Sequence, residues 1–144
     1  MQRFKNKFAL ITGGTNGMGY ATARQFIEEG GFAIITGRST ATVHKAVTEL
    51  GENAFGIVSD AGNMQDIFQL QESVKHYTNT VDLLFVNAGY GKFAPVEYAD
   101  ESHFDELFNM LVKVCFYCSA NFTLNEIRKL GGIQYFFCYG NRNS

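Results

Sequence analysis

Along this chain, short unbroken apolar runs take turns with longer stretches in which apolar residues recur every three or four positions. Phe8-Ala9-Leu10-Ile11-Thr12 is an apolar run that stops at two glycines, the pattern of a parallel strand buried on both faces. Met18, Ala21, Ala23, Phe26 and Ile27 follow with helical spacing, and Gly30-Gly31 ends that helix after Glu29. Phe32 to Thr36 predicts a second strand, closed by Gly37-Arg38-Ser39. Ser39 or Thr40 supplies a cap for a helix reaching about Leu50. Ala54 to Ser59 predicts a third strand, ending at Asp60. A helix over Asp66 to His76 carries Ile67, Phe68, Leu70 and Val74 towards one side. Val81 to Val86 predicts a fourth strand, followed by Asn87-Ala88-Gly89.

Strands alternating with helices of this length require crossover connections, which are right-handed and build a parallel sheet. The expected fold is therefore α/β, a Rossmann-like doubly wound parallel sheet, in one domain over residues 1–144. No linker, repeat or low-complexity segment interrupts it.

Composition narrows the classes without changing that picture. With 46% hydrophobic and 18% charged residues and a single proline, the chain has the makeup of a globular domain with a modest core. A net charge of -2 argues against nucleic acid or an anionic membrane surface as a partner. No apolar run is long enough to span a bilayer. The basic residues of MQRFKNKFALIT lead into a glycine turn rather than a small-residue cleavage site, so no signal peptide is expected and the cytoplasm is the expected compartment. Three cysteines in that setting argue against a disulfide framework.

The turn Thr12-Gly13-Gly14-Thr15-Asn16-Gly17-Met18-Gly19 joins the first strand to the first helix. Glycines there let the backbone turn sharply, approach a pyrophosphate without side chains in the way, and aim helix N-terminal N–H groups at the anion. A plain tight turn would also use glycines. The strand before and the helix after supply the context that separates the two readings.

The spacing TGxxxGxG resembles the short-chain dehydrogenase/reductase family of the classical type. "VSD" at the end of the third strand puts Asp60 where the family contacts the adenine ring. "NAG" (Asn87, Ala88, Gly89) stands where the family has NNAG, with Val86 in place of the first Asn, and "FDELFNMLVK" looks like the long helix that follows. The likeness covers residues 5–113. It implies that Gly13, Thr15, Asn16, Gly17, Met18 and Gly19 line the phosphate turn. Asn87, Ala88 and Gly89 would lie beside the ribose and nicotinamide end. The activity it implies is hydride transfer between a nicotinamide cofactor and a carbonyl or alcohol. It implies a small-molecule substrate and leaves open whether the chain forms a homo-oligomer; no metal site is expected.

Charge selects between the cofactors. An acid at the end of the second strand would bond a ribose 2′-hydroxyl and repel a 2′-phosphate, but this chain has Thr36-Gly37-Arg38. A guanidinium matches phosphate geometry with paired N–H donors. NADP(H) is therefore expected ahead of NAD(H), against the alternative that Arg38 is only a solvated loop charge.

The family's chemistry uses a Tyr whose pKa is lowered by a Lys four residues on, so that the phenol exchanges a proton with the substrate oxygen. A Ser and an Asn on the long helix assist it. No Tyr here has Lys at that offset: Tyr20 is followed by Arg24, Tyr135 by Tyr139 and Tyr139 by Asn143. The family's Asn position reads Leu111, with Asn109 close by. The pair is expected beyond Ser144, with the strands that would cover the far side of the crevice, so the sheet stops after about the fifth strand. No catalytic residue is assigned. The expected alternative to an enzyme is a non-catalytic NADP-binding or interaction protein.

Leu111 to Asn121, LVKVCFYCSAN, breaks the pattern. Cys115 and Cys118 form a lone C-x-x-C, and Cys138, His44, His76 and His103 show no paired spacing to complete a zinc site. A core helix accounts for Leu111, Val114, Cys115 and Cys118 on one face, yet Phe116, Tyr117 and Phe122 leave no polar stripe opposite. The genetic code offers another account. Back-translated and read from the second base, Phe116 to Leu124 permits FTVQQTLP, and Ile133 to Gly140 permits SSIFFVTG, both like the family's continuation. The parent AAA GGT GTG TTT TTT ACT GTT CAG CAA ACT, after loss of one G and one T, encodes KVCFYCSAN. Residues 114–144 are thus expected to be out-of-frame translation, the other reading being a divergent natural end.

Overall fold

The structure is a computed structural model that describes residues 2–87 and 95–108. Among them, strands β1 (Phe8–Thr12), β2 (Phe32–Gly37), β3 (Ala54–Val58) and β4 (Leu83–Val86) alternate with helices α1 (Gly17–Glu28), α2 (Thr40–Leu50) and α3 (Met64–Lys75). A 3₁₀ turn (Val96–Tyr98) and helix α4 (Glu101–Phe108) follow. The strands form one parallel sheet in the order β3-β2-β1-β4. The Rossmann-like α/β expectation therefore holds.

Residue alternation along each strand divides the core in two. Ala9, Ile11, Ala33, Ile35 and Phe85 face α1 and α2, meeting Ala23, Phe26 and Ala46. Leu10, Ile34, Leu84 and Val86 face the other way, onto Ile67, Leu70 and Val74 of α3. Helices on both faces make the sheet doubly wound and explain why its central strands contain no polar alternation. Leu10, Ile11, Ile34 and Ile35 have no exposed surface, and each such side chain stabilises the fold by about 1.5–3 kcal/mol.

The apolar stripe of α1 differs from the predicted one. Met18 is 49% exposed and Ala21 is also exposed; the buried positions are Gly19, Ala23 and Phe26. The helix begins inside the glycine turn, so its inward face is set by the closeness of Gly19 to the sheet. Phe68 is likewise 51% exposed, because α3 buries only the narrow row Ile67, Leu70 and Val74. That helix starts at Met64, two residues early, since Asn63 caps it by accepting the Gln65 N–H at 2.9 Å. Ser39 caps α2, accepting the Thr42 N–H at 3.5 Å.

At the N-terminal edge of the sheet, Asp82 fastens β4 to β1. Its carboxylate accepts the Phe8 N–H at 2.8 Å and a Lys7 Nζ bond at 3.1 Å, and its own N–H donates to the Phe8 carbonyl at 2.8 Å. The opposite edge, where all four strands end, carries the candidate site. Residues 109–144, with the cysteines and the expected fifth strand, lie outside the described residues, as do Ala88 and Gly89.

Candidate cofactor-binding site

Strands β1, β2 and β3 step one way across the sheet, while β4 returns to the other side of β1. The order of the described strands therefore reverses at β1, the topological switch point beside which an open α/β sheet has its crevice, beyond the C-terminal ends of the strands. In open α/β sheets this switch point is where ligands bind. The residues following each strand, Gly13, Arg38, Asp60 and Asn87, all emerge along that edge.

The turn after β1 is built on close approach. Gly13 has φ 66°, a left-handed conformation that glycine adopts at no steric cost. A Cβ on Gly19 would lie 2.5 Å from the Gly13 carbonyl oxygen and 2.6 Å from Asn87 Nδ2. Only glycine lets the first turn of α1 sit this near the end of β1. Gly14 donates its N–H to the Thr36 carbonyl at 3.1 Å, and a Cβ there would meet Ile35 at 2.6 Å. In the sequence Gly14 is marked only by the doubled glycine.

At Gly17 the situation is reversed. Its φ is 58°, and nothing lies within 4 Å of where a Cβ would stand, so this backbone is open. Asn16 caps α1 with extended backbone (φ −157°, ψ 176°) but makes no side-chain cap bond, and the first turn contains no acid. The first N–H groups of α1 are thus left without intrahelical partners and the positive end of its dipole is not neutralised. An anion such as a pyrophosphate fits this arrangement.

Asn87 ties the two sides of the crevice together. Its N–H donates to Thr12 Oγ1 at 3.0 Å and its Nδ2 donates to the Gly13 carbonyl at 3.0 Å. Thr12 is a buried hydroxyl, marked in the sequence only as a polar residue closing an apolar strand.

Thr15 is half-buried and lies against Gly37, where a Cβ would come within 2.7 Å of its Cγ2. The phosphate turn is thereby brought beside the β2–α2 connection and its exposed Arg38. Among the described residues Arg38 has no ion-pair partner. Asp60 is half-buried. Its Oδ1 accepts the Gly62 N–H at 2.8 Å, and its N–H donates to Asp66 Oδ2 at 2.8 Å. Asp66, another residue not anticipated, fixes the direction in which Asp60 leaves the sheet.

The geometry brings together Gly13, Thr15, Asn16, Gly17, Met18, Gly19 and Asn87 around one turn, with Arg38 and Asp60 further along the same edge. The arrangement offers helix N-terminal N–H groups suited to an anion, with one guanidinium and one carboxylate on the same edge. No helix among the described residues is long and apolar enough to cross a membrane.

Comparison with known proteins agrees with this architecture. The family model for short chain dehydrogenase matches residues 7–133. An oxidoreductase, asL5, of Sarocladium schorii is 38% identical over 96 residues, which is 67% of this chain and 39% of that protein. A cis-2,3-dihydrobiphenyl-2,3-diol dehydrogenase of Paraburkholderia xenovorans is 32% identical over 116 residues, 77% of this chain and 42% of that one. The chain thus spans less than half the length of these relatives. Among solved structures, 3-ketoacyl-(acyl-carrier-protein) reductase from Brucella melitensis, complexed with NADH, superposes with a TM-score of 0.74 at 27% identity. That match covers 81% of this chain and 48% of that one. The Pseudomonas aeruginosa RhlG/NADP complex gives 0.77 at 24% identity, over 82% and 47%, and speaks for the fold alone.

Proposed function

The chain belongs to the short-chain dehydrogenase family, and from that premise we propose that its crevice binds a nicotinamide dinucleotide, NADP(H) in preference to NAD(H). The observation that carries the reading is the open start of α1 at Asn16-Gly17, without a side-chain cap bond and close against the sheet through Gly19 and Asn87. In this reading the α1 N–H groups, with Gly13, Thr15, Asn16, Gly17, Met18 and Gly19, hold the pyrophosphate. Arg38 pairs with the 2′-phosphate and Asp60 meets the adenine. Asn87, with Ala88 and Gly89, lies along the ribose and nicotinamide end. When bound, the cofactor supplies or accepts the hydride. This chain's own residues orient it, and Gly19 keeps side-chain bulk away from the phosphate turn.

In the whole family protein the reaction is exchange between a carbonyl and an alcohol on a small molecule. These 144 residues contain no Tyr with Lys four positions on, so no group of this chain is assigned to move the substrate proton. That observation favours a second reading for the chain by itself: a nucleotide-binding or interaction protein without turnover. Titration of NADPH fluorescence, with carbonyl reduction assayed beside it, tests both. Binding without turnover is the expected result. Failure to bind either NADPH or NADH by a protein that melts cooperatively would overturn the cofactor assignment.

A further inference from the structure

The phosphate turn contains a bond with chemistry of its own. Asn16 alone among the asparagines of this chain is followed by glycine. Three features expose that pair to attack of the Gly17 amide nitrogen on the Asn16 side-chain carbonyl. Asn16 and Gly17 are both exposed. The Asn16 carboxamide makes no cap bond that would hold it away. Nothing lies within 4 Å of the missing Gly17 side chain, and Gly17, as the first residue of α1, has an N–H outside the intrahelical bonding.

We propose that Asn16-Gly17 is a site of spontaneous deamidation that switches off cofactor binding in ageing protein. The Gly17 nitrogen loses its proton and bonds to Asn16 Cγ. The Cγ–Nδ2 bond breaks and ammonia departs, leaving a cyclic imide. Water then opens either imide carbonyl, giving aspartate or isoaspartate at residue 16. One water enters, one ammonia leaves, and no oxidant is involved.

Either product puts a carboxylate at the mouth of the anion cradle, where it opposes a pyrophosphate at close range. The isoaspartate also inserts a methylene into the backbone just ahead of the N–H groups that meet the phosphate. Helix stability follows a different course. An aspartate is a favoured N-cap and sits well at the positive end of a helix, so the aspartate form keeps its fold while losing its ligand. A bound dinucleotide covers the pair and slows the reaction.

The inference rests on the cofactor reading above, and the test separates the two. The full chain is incubated in warm, mildly alkaline buffer with and without NADPH. The peptide containing Asn16 is followed by mass spectrometry, and NADPH affinity is measured on fresh and aged protein. The expected result is conversion at Asn16 ahead of every other asparagine, slowed by NADPH, with affinity falling about tenfold in the converted fraction, less at high salt. Asn16→Gln should show an aged-to-fresh affinity ratio of one, whatever its fresh value. Asn16→Asp should melt no lower than the parent and bind NADPH more weakly. Fresh protein that binds NADPH but shows no conversion at Asn16, or keeps its affinity after conversion, overturns this inference alone. Fresh protein that does not bind overturns both.

Discussion

Replacing Gly19 with alanine tests the construction of the phosphate turn directly. The new methyl would stand 2.5 Å from the Gly13 carbonyl oxygen, 2.6 Å from Asn87 Nδ2 and 3.1 Å from the Gly13 carbonyl carbon. Two of these are backbone atoms of a turn whose neighbour Gly14 is pinned to Thr36, so relief must come from moving α1 or expelling Asn87. Overpacking of this kind costs about 1–3 kcal/mol. Expelling Asn87 forfeits its 3.0 Å bond to Gly13, a further loss of roughly 1 kcal/mol. Gly19→Ala should therefore lower stability by about 2–4 kcal/mol, moving a urea midpoint down by about 1–2 M at an ordinary m-value. If Asn87 supplies part of the clash, the same substitution should cost about 1 kcal/mol less in an Asn87→Ala background. A Gly19→Ala protein that melts within about 0.5 kcal/mol of the parent, and binds NADPH as well, would refute the reasoning.

Further outcomes follow from other parts of the molecule. Arg38→Ala should weaken NADPH by about tenfold to a hundredfold, the worth of a charge-assisted bond, while leaving NADH nearly untouched. Equal losses for the two cofactors would remove Arg38 from the 2′-phosphate. The Arg3 guanidinium, bonded to the Glu29 carboxylate, holds the Glu29 carboxyl below its ordinary range. A depressed carboxyl contributes stability above its unfolded pKa and loses it as pH falls through the folded value. Melting of Glu29→Gln should accordingly lie below the parent at neutral pH and converge with it in acid. A gap independent of pH would count against the pair. For residues 114–144, the coding DNA read one base on from Phe116 should encode a Tyr-x-x-x-Lys segment downstream. Its absence would leave the divergent natural end.

The fold was legible because buried strands and capped helices each require their own spacing. Four apolar runs, each stopped by a glycine or a polar cluster, are the four strands found among the described residues, within a residue or two at each end. What spacing could not supply was orientation. Periodicity counts Met18 and Phe68 as apolar and assigns them inward, yet both are half exposed. The face of α1 is set by Gly19 packed against Gly13 and against Asn87, far along the chain, and α3 starts early at its local Asn63 cap and buries only the row Ile67, Leu70 and Val74. The site shows the same division. Gly13, Gly17 and Gly19 announce themselves by type, whereas Thr12, Gly14 and Asp66 act through partners on other segments. Thr12 looks like the last residue of a strand until Asn87, 75 positions later, donates to it.

The two ends of the β1–β4 pair bear on the order of assembly. Asp82 ties the strands at one edge and Asn87 at the other, across separations of 74 and 75 residues. Neighbouring β1, β2 and β3 are joined through far shorter loops. Closing the longer loop costs more chain entropy before any contact repays it, so β4 is the strand expected to dock last. Until it does, the crevice has only one wall and the Gly13 carbonyl lacks its partner. A dinucleotide would recognise the finished sheet rather than a partly built one. Its stabilisation would fall on the complete protein, which makes ligand-dependent protection of β4 amides from exchange a readout of assembly as well as of binding.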